Sequence, residues 1–157
     1  ELLNPTHLIL GPGPGSPSDS ELTMAISNHV LAGQLKMPLL GVCLGHQALA
    51  EASGMKVIQA PLGPVHGTPR SCHHNSNGLF AGMESPTDFT RYHSLVVEDE
   101  SSQSDLIISA TDQSKSIIMA LQHPSLPICS VQFHPESVGS INGDILLMNF
   151  LKMYADA

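Results

Sequence analysis

Three observations predict an α/β fold, an open, mainly parallel sheet flanked by helices with an antiparallel extension. Apolar runs at 6–10, 39–42 and 128–131 each end in a turn bearing glycine, proline or histidine, as strands buried on both faces do. Stretches with helical apolar spacing follow the first two runs and close the chain. Strand candidates at 106–110, 116–121 and 128–131 follow one another across polar turns, which supplies the antiparallel extension.

In chain order, 6–10 (Thr-His-Leu-Ile-Leu) reads as a buried strand. An amphipathic helix over 19–35 follows, with Leu22, Ala25, Ile26 and Val30 on one face and Gly33 and Pro38 bracketing its end. Strand 39–42 leads into a helix over 45–53, stopped at Gly54, and then a short apolar run at 57–58. The stretch 61–100, rich in Gly, Pro, Ser and His, lacks helical periodicity and reads as short strands and loops. The closing helix, 142–154, carries Leu146, Leu147, Phe150, Leu151 and Tyr154 on its apolar face. With no internal repeat and no low-complexity linker, 1–157 reads as one domain.

Composition narrows the function classes. A chain of 157 residues, 41% hydrophobic, can bury one sizeable core, and no apolar run reaches the ~18 residues of a membrane span. Six Lys and Arg against fourteen Asp and Glu, a net charge of −8, disfavour nucleic acid as a partner. Three widely spaced cysteines do not make a disulfide framework and fit a reducing, cytoplasmic setting, with Cys72 and Cys129 structural. Nine histidines, His73-His74 near Cys72 among them, raise a metal site. Adjacent histidines point apart, however, and no Cys-x-x-Cys or His-x-x-x-His frame completes four ligands, so no metal is expected.

Chemistry concentrates at the ends of three predicted strands. Gly41-Val42-Cys43-Leu44-Gly45-His46-Gln47 delivers Cys43 into a small-residue turn from which a helix starts, the layout of a nucleophile elbow. The helix N-terminus beside the sulfur is expected to favour thiolate. After strand 128–131, Gln132-Phe133-His134-Pro135-Glu136-Ser137 supplies His134 as a base and Glu136 to fix its tautomer. After strand 6–10, Gly11-Pro12-Gly13-Pro14-Gly15-Ser16-Pro17 brings backbone amides close to a ligand, as an oxyanion hole requires. Singly, a cysteine after an apolar strand is usually core and a Gly-Pro loop usually a tight connection. Together, at the carboxyl ends of strands in an open α/β sheet, they fall where such folds place active sites.

These blocks, with Val65-His66-Gly67, Gly78-Leu79-Phe80 and Arg91-Tyr92-His93-Ser94-Leu95, resemble the class I (triad) glutamine amidotransferases, among them the glutaminase components of anthranilate and aminodeoxychorismate synthase. The resemblance implies that Cys43 attacks the carboxamide of L-glutamine, that His134 is general base and acid, and that Glu136 orients it. It implies an oxyanion hole in the Gly13–Gly15 loop, from the amides of Gly15 and Leu44; Pro14 has no N–H to give. It also implies that Gln47 and the backbone at Ser94 and Leu95 hold the α-amino and α-carboxylate groups, although from the residues alone Gln47 reads equally as a surface helix residue. No cofactor is implied. Ammonia would pass to a chorismate-binding synthase, separate or fused.

Two departures from the family pattern, Ser18-Asp19-Ser20-Glu21 after the Gly-Pro loop and Thr68-Pro69 after His66-Gly67, lie outside the triad. The chain opens just before the Gly-Pro strand, so the family's first strand and helix are expected to be missing and the chain to be poorly stable alone; a removed targeting peptide stays open. Three rival functions also stand: a glutaminase for another acceptor, as in carbamoyl phosphate or guanylate synthesis; a non-catalytic interaction module; and a peptidase with the same Cys-His logic.

Overall fold

The computed structural model describes residues 4–98 and 104–153. A seven-stranded sheet runs in the order β1 (Leu8–Leu10), β2 (Leu39–Val42), β9 (Ile128–Val131), β8 (Ile118–Gln122), β7 (Ile107–Asp112), β4 (Val65–His74), β5 (Thr87–His93). A separate ribbon pairs β3 (Val57–Gln59) with β6 (Leu95–Val97). Helices α1 (Glu21–Leu31), α2 (Leu44–Ala52) and α3 (Gly143–Met153) and two 3-10 turns, Pro17–Asp19 and Gly78–Phe80, complete the described elements.

The open α/β sheet with an antiparallel extension is present, but its proportions differ from the expected mainly parallel sheet. Only β1–β2 and β2–β9 pair parallel; β9–β8, β8–β7, β7–β4 and β4–β5 are antiparallel. The parallel end is covered on both faces, which explains why β2 reads as a run without polar alternation. Leu39 packs with Leu10, Val30, Leu49 and Ile128 on the α1–α2 side. Its neighbours Leu40 and Val42 turn to the opposite side, with Phe133, Leu146 and Phe150 of the α3 layer.

Several element boundaries shift. The strand at 6–10 is a three-residue edge strand with β2 as its described neighbour, so Ile9 is 51% exposed rather than buried. The helix expected over 19–35 starts after its own 3-10 turn and ends at Leu31. Its inner face is Ile26, Ser27 and Val30; Leu22, 72% exposed, and Ala25 point outward. On α3, Leu146 and Phe150 are buried and Leu147 packs beside them, but Leu151 is exposed; Tyr154 lies outside the described residues. The stretch read as short strands and loops contains the ten-residue β4. Gly67 and Pro69 disguise it. A bulge falls between His66 and Thr68, and Pro69 pairs only with Thr90 of β5 because β7 joins β4 only from Cys72 onward, so its missing N–H disrupts no second ladder.

Candidate active site

Because β2 and β9 are adjacent and parallel, with Val42 opposite Val131, both chains leave the sheet at the same end. Cys43 follows directly, with φ 53° and ψ −100° and its N–H bonded to the Val131 carbonyl at 2.9 Å. A non-glycine residue in this region costs on the order of 1–3 kcal/mol, and the result is a sharp turn that lifts the side chain off the strand. The turn depends on two glycines. A Cβ on Gly45 would lie 2.3 Å from the Leu10 carbonyl oxygen, and one on Gly41 2.7 Å from that of Gly45. Any larger residue would push α2 away from β1 and β2.

His134 stands three residues beyond β9. Phe133 stacks on Phe89 at 4.0 Å beneath it, the His134 N–H reaches the Thr90 carbonyl at 2.9 Å, and Gly143 presses α3 so closely on the turn that a Cβ would overlap the Pro135 carbonyl. Its Nδ1 lies 2.7 Å from Glu136 Oε1, and its buried Nε2 has no partner. With Nδ1–H donating to the carboxylate, Nε2 is left as a lone pair, the tautomer that accepts a proton.

Tyr92 bridges the two sides. Its carbonyl lies 3.7 Å from Cys43 Sγ and its ring meets His134 edge-on at 5.2 Å.

Burial pushes the Cys43 thiol up to about 11, against the Leu44 amide, which lowers it, and with the Glu136 charge adding to the rise. Desolvation thus opposes the thiolate that the helix N-terminus favours. Cys72 and Cys129 are free, buried and pushed up further by burial.

A pocket of about 210 Å³ opens over Cys43, lined also by Gly13, Gly15, Gln47, Tyr92, Ser94 and Leu95, with Pro14, His66 and His93. Gly15, at φ +81°, holds the loop where L side chains are strained, and Asp19 ties it down by accepting from the Ser16 N–H at 2.8 Å and hydroxyl at 2.7 Å. Those bonds hold the Asp19 carboxyl below its usual value. Gln47 is 3% exposed, so the surface reading fails. Its Nε2 donates to the Leu95 carbonyl at 3.2 Å and to Gln132 Oε1 at 3.1 Å. The Leu95 carbonyl also faces His93 Nδ1 at 3.1 Å, and the Ser94 carbonyl accepts from the Ala60 N–H at 2.8 Å. Both carbonyls thus help to build the wall.

Of the candidate site residues, Gly13, Gly15, Cys43, Gln47, Ser94 and Leu95 line this pocket, and Leu44, His134 and Glu136 stand beside it. Sequence reasoning missed Gln132, whose Nε2 lies 3.8 Å from Cys43 Sγ, and Ser140, whose hydroxyl accepts from the Thr90 N–H at 2.9 Å and donates to the His134 carbonyl at 2.6 Å. Gln132 carried a signal, adjacency to Phe133-His134. Ser140 carried none, because its contacts are tertiary. Among the described residues no group of three or more His, Cys, Asp or Glu is arranged to hold a metal, and no helix is long and apolar enough to cross a membrane.

Known proteins resemble the chain in sequence and in fold. Over 153 residues the chain is 42% identical to the bifunctional protein TrpGD of Thermotoga maritima, covering 98% of this chain and 25% of that protein. It is 42% identical to anthranilate synthase component 2 of Pseudomonas aeruginosa, covering 97% of this chain and 76% of the relative. To aminodeoxychorismate synthase component 2 of Escherichia coli it is 41% identical, covering 96% and 78%. A solved structure of a putative GMP synthase subunit from Thermoplasma acidophilum shares the fold, with TM-score 0.82 and 22% identity over 96% of this chain and 73% of that one. Residues 1–153 match the family described as glutamine amidotransferase class-I, and the chain belongs to that family.

Proposed function

We propose that the chain hydrolyses L-glutamine to glutamate and ammonia through a thioester on Cys43 and supplies the ammonia to a chorismate-using synthase. As Sγ attacks the carboxamide carbon, its proton passes to His134 Nε2. The carbonyl electron pair moves onto oxygen, where the Gly15 and Leu44 amides donate. Collapse breaks the C–N bond, and the proton on His134 goes to the leaving nitrogen, which departs as ammonia. Water, deprotonated by the same Nε2, then adds to the thioester and releases glutamate and the thiol. Glu136 orients the imidazole, Gln132 and Gln47 form a continuous polar wall, and Gln47 with Ser94 and Leu95 receives the amino-acid end of the substrate. Burial that disfavours a thiolate at Cys43 fits proton removal in concert with attack.

The observation that carries this reading is the buried, unpartnered Nε2 of a histidine whose other nitrogen is held by a carboxylate, on a turn where Tyr92 meets both its ring and Cys43 Sγ. The synthase partner is supported by the relatives and by Val138 and Ile141, fully and largely exposed apolar residues directly after the triad turn. Residues 1–157 act as one domain, and the three free cysteines support a reducing, cytoplasmic setting.

The test is glutamate release with and without a chorismate-using synthase. Cys43→Ala should abolish glutamine-dependent product while leaving synthesis from free ammonium intact, and Cys72→Ala and Cys129→Ala should retain activity. Equal loss in all three variants would contradict the assignment.

A further inference from the structure

A second cavity, of about 400 Å³, lies against the first and shares His93 with it; Arg91, Arg70, Asp112, Ser114 and Val65 contribute to its wall. We propose that it binds a small carboxylic acid carrying a hydroxyl, a hydroxy acid anion, with Arg91 holding the carboxylate and His93 accepting from the hydroxyl.

Arg91 is 6% exposed, yet among the described residues its one hydrogen bond is from Nη2 to the Ser71 carbonyl, a neutral acceptor, at 2.8 Å. Its buried Nε has no partner. The nearby carboxylates are committed elsewhere. Asp112 Oδ1 accepts from the Ser116 and Ile117 N–H groups at 3.0 and 2.9 Å and Oδ2 from the Ser114 hydroxyl at 2.6 Å. Asp88 accepts from the Ser71 hydroxyl at 2.7 Å. Burial works against the Arg91 charge and the nearby Asp112 and Asp88 support it, yet neither carboxylate hydrogen-bonds to the guanidinium, and its planar fork matches a carboxylate that would. Arg70, exposed on the rim, adds a second positive charge.

His93 sets the other half of the specificity. Two residues from Arg91 on β5, it faces the same side of the strand. Its Nδ1 faces the Leu95 carbonyl, which only accepts, so Nδ1 carries the proton and the buried, unpartnered Nε2 presents a lone pair. That lone pair calls for a hydroxyl donor on the ligand.

The experiment is calorimetric titration of the 157-residue chain carrying Cys43→Ala with L-malate and, in parallel, with succinate, which has the carboxylates but not the hydroxyl. Saturable binding of L-malate is expected, with succinate weaker by roughly tenfold. Arg91→Lys, which keeps the charge and loses the fork, should weaken L-malate by roughly tenfold or more. Should that variant not fold, Arg70→Met on the rim should still weaken it. Saturating L-glutamine should not displace the acid. Absence of saturable L-malate binding, equal affinity in every folded arginine variant, or displacement by L-glutamine would overturn the proposal, and equal affinity for succinate would overturn the role given to His93.

Discussion

The two ends of the sheet are built for different work. At the parallel end, β1, β2 and β9 are short, sheathed by helices except along the β1 edge, and end where Gly13–Gly15, Cys43 and His134 emerge. At the antiparallel end, β7, β4 and β5 are longer and more polar. They give the pocket no nucleophile or base, only walls: the Tyr92 carbonyl and ring, His93, and Thr90 gripping the His134 turn. The proposed reacting groups sit at the parallel end, where the strands exit on one side. The antiparallel end adds pocket wall from strands whose side chains alternate between core and solvent.

The sharpest test of this division compares the base with its orienter. His134→Asn should slow glutamine hydrolysis by orders of magnitude, and Glu136→Gln should cost less, since it disturbs only ring orientation and tautomer. Steady-state turnover of both variants gives the order, and a more damaged Glu136 variant would contradict the roles.

Next in size is the elbow. Gly45→Ala places a methyl against the Leu10 backbone and should cost about 1–3 kcal/mol of stability together with most of the activity. Gly11→Ala, where a Cβ meets nothing within 4 Å, should leave stability nearly unchanged. Thermal unfolding of the pair decides it, and equal effects would show that α2 does not rely on that close approach.

The clip between the two ends comes third. Ser140→Ala leaves the Thr90 N–H without its partner and the His134 carbonyl with only the Ser137 N–H at 3.2 Å, at a cost of about 1–3 kcal/mol. Turnover should fall with little change in KM, because the substrate pocket keeps its lining. A KM effect alone would move Ser140 from positioning the base to shaping the pocket.

The smallest expected effect is a pH limb. Burial lowers His46 from 6.5 to about 3 and His93 to about 4. Both are therefore stably neutral in the fold, and this contribution is intact above pH 6.5 and lost as pH falls toward 4 and 3. The unfolding temperature should drop across that window, less steeply in His46→Gln. The thiols act at the other extreme: Cys43 at about 11 and Cys72 at about 12, against 9.0, cost stability as pH rises above 9. An acid limb unchanged by His46→Gln would mean that other groups set it.

The same two-ended division explains what was legible in sequence. Strands covered on both faces write continuous apolar runs, so 39–42 and 128–131 match β2 and β9 residue for residue. Cys43, His134 and Glu136 stand out because each follows such a run. The antiparallel end hides itself: β4 carries Gly67 and Pro69, tolerated only because of a bulge and a missing second neighbour, facts of pairing that no local pattern records. Leu22 shows the converse, an apolar residue on a helical stripe that the packing of α1 leaves in solvent. Arg91, Gln132 and Ser140 take their partners from distant strands and turns, so their roles appear only once the sheet is assembled.

We propose that Cys43 alone among the three cysteines is an assembled nucleophile. Treating the chain with a glutamine-analogue alkylating agent and mapping the adduct by mass spectrometry tests it most directly. One label is predicted, on Cys43, slowed by L-glutamine and by His134→Asn, with Cys72 and Cys129 untouched. Labels spread over the three thiols, or a Cys43 that stays unmodified while the chain is folded, would contradict it.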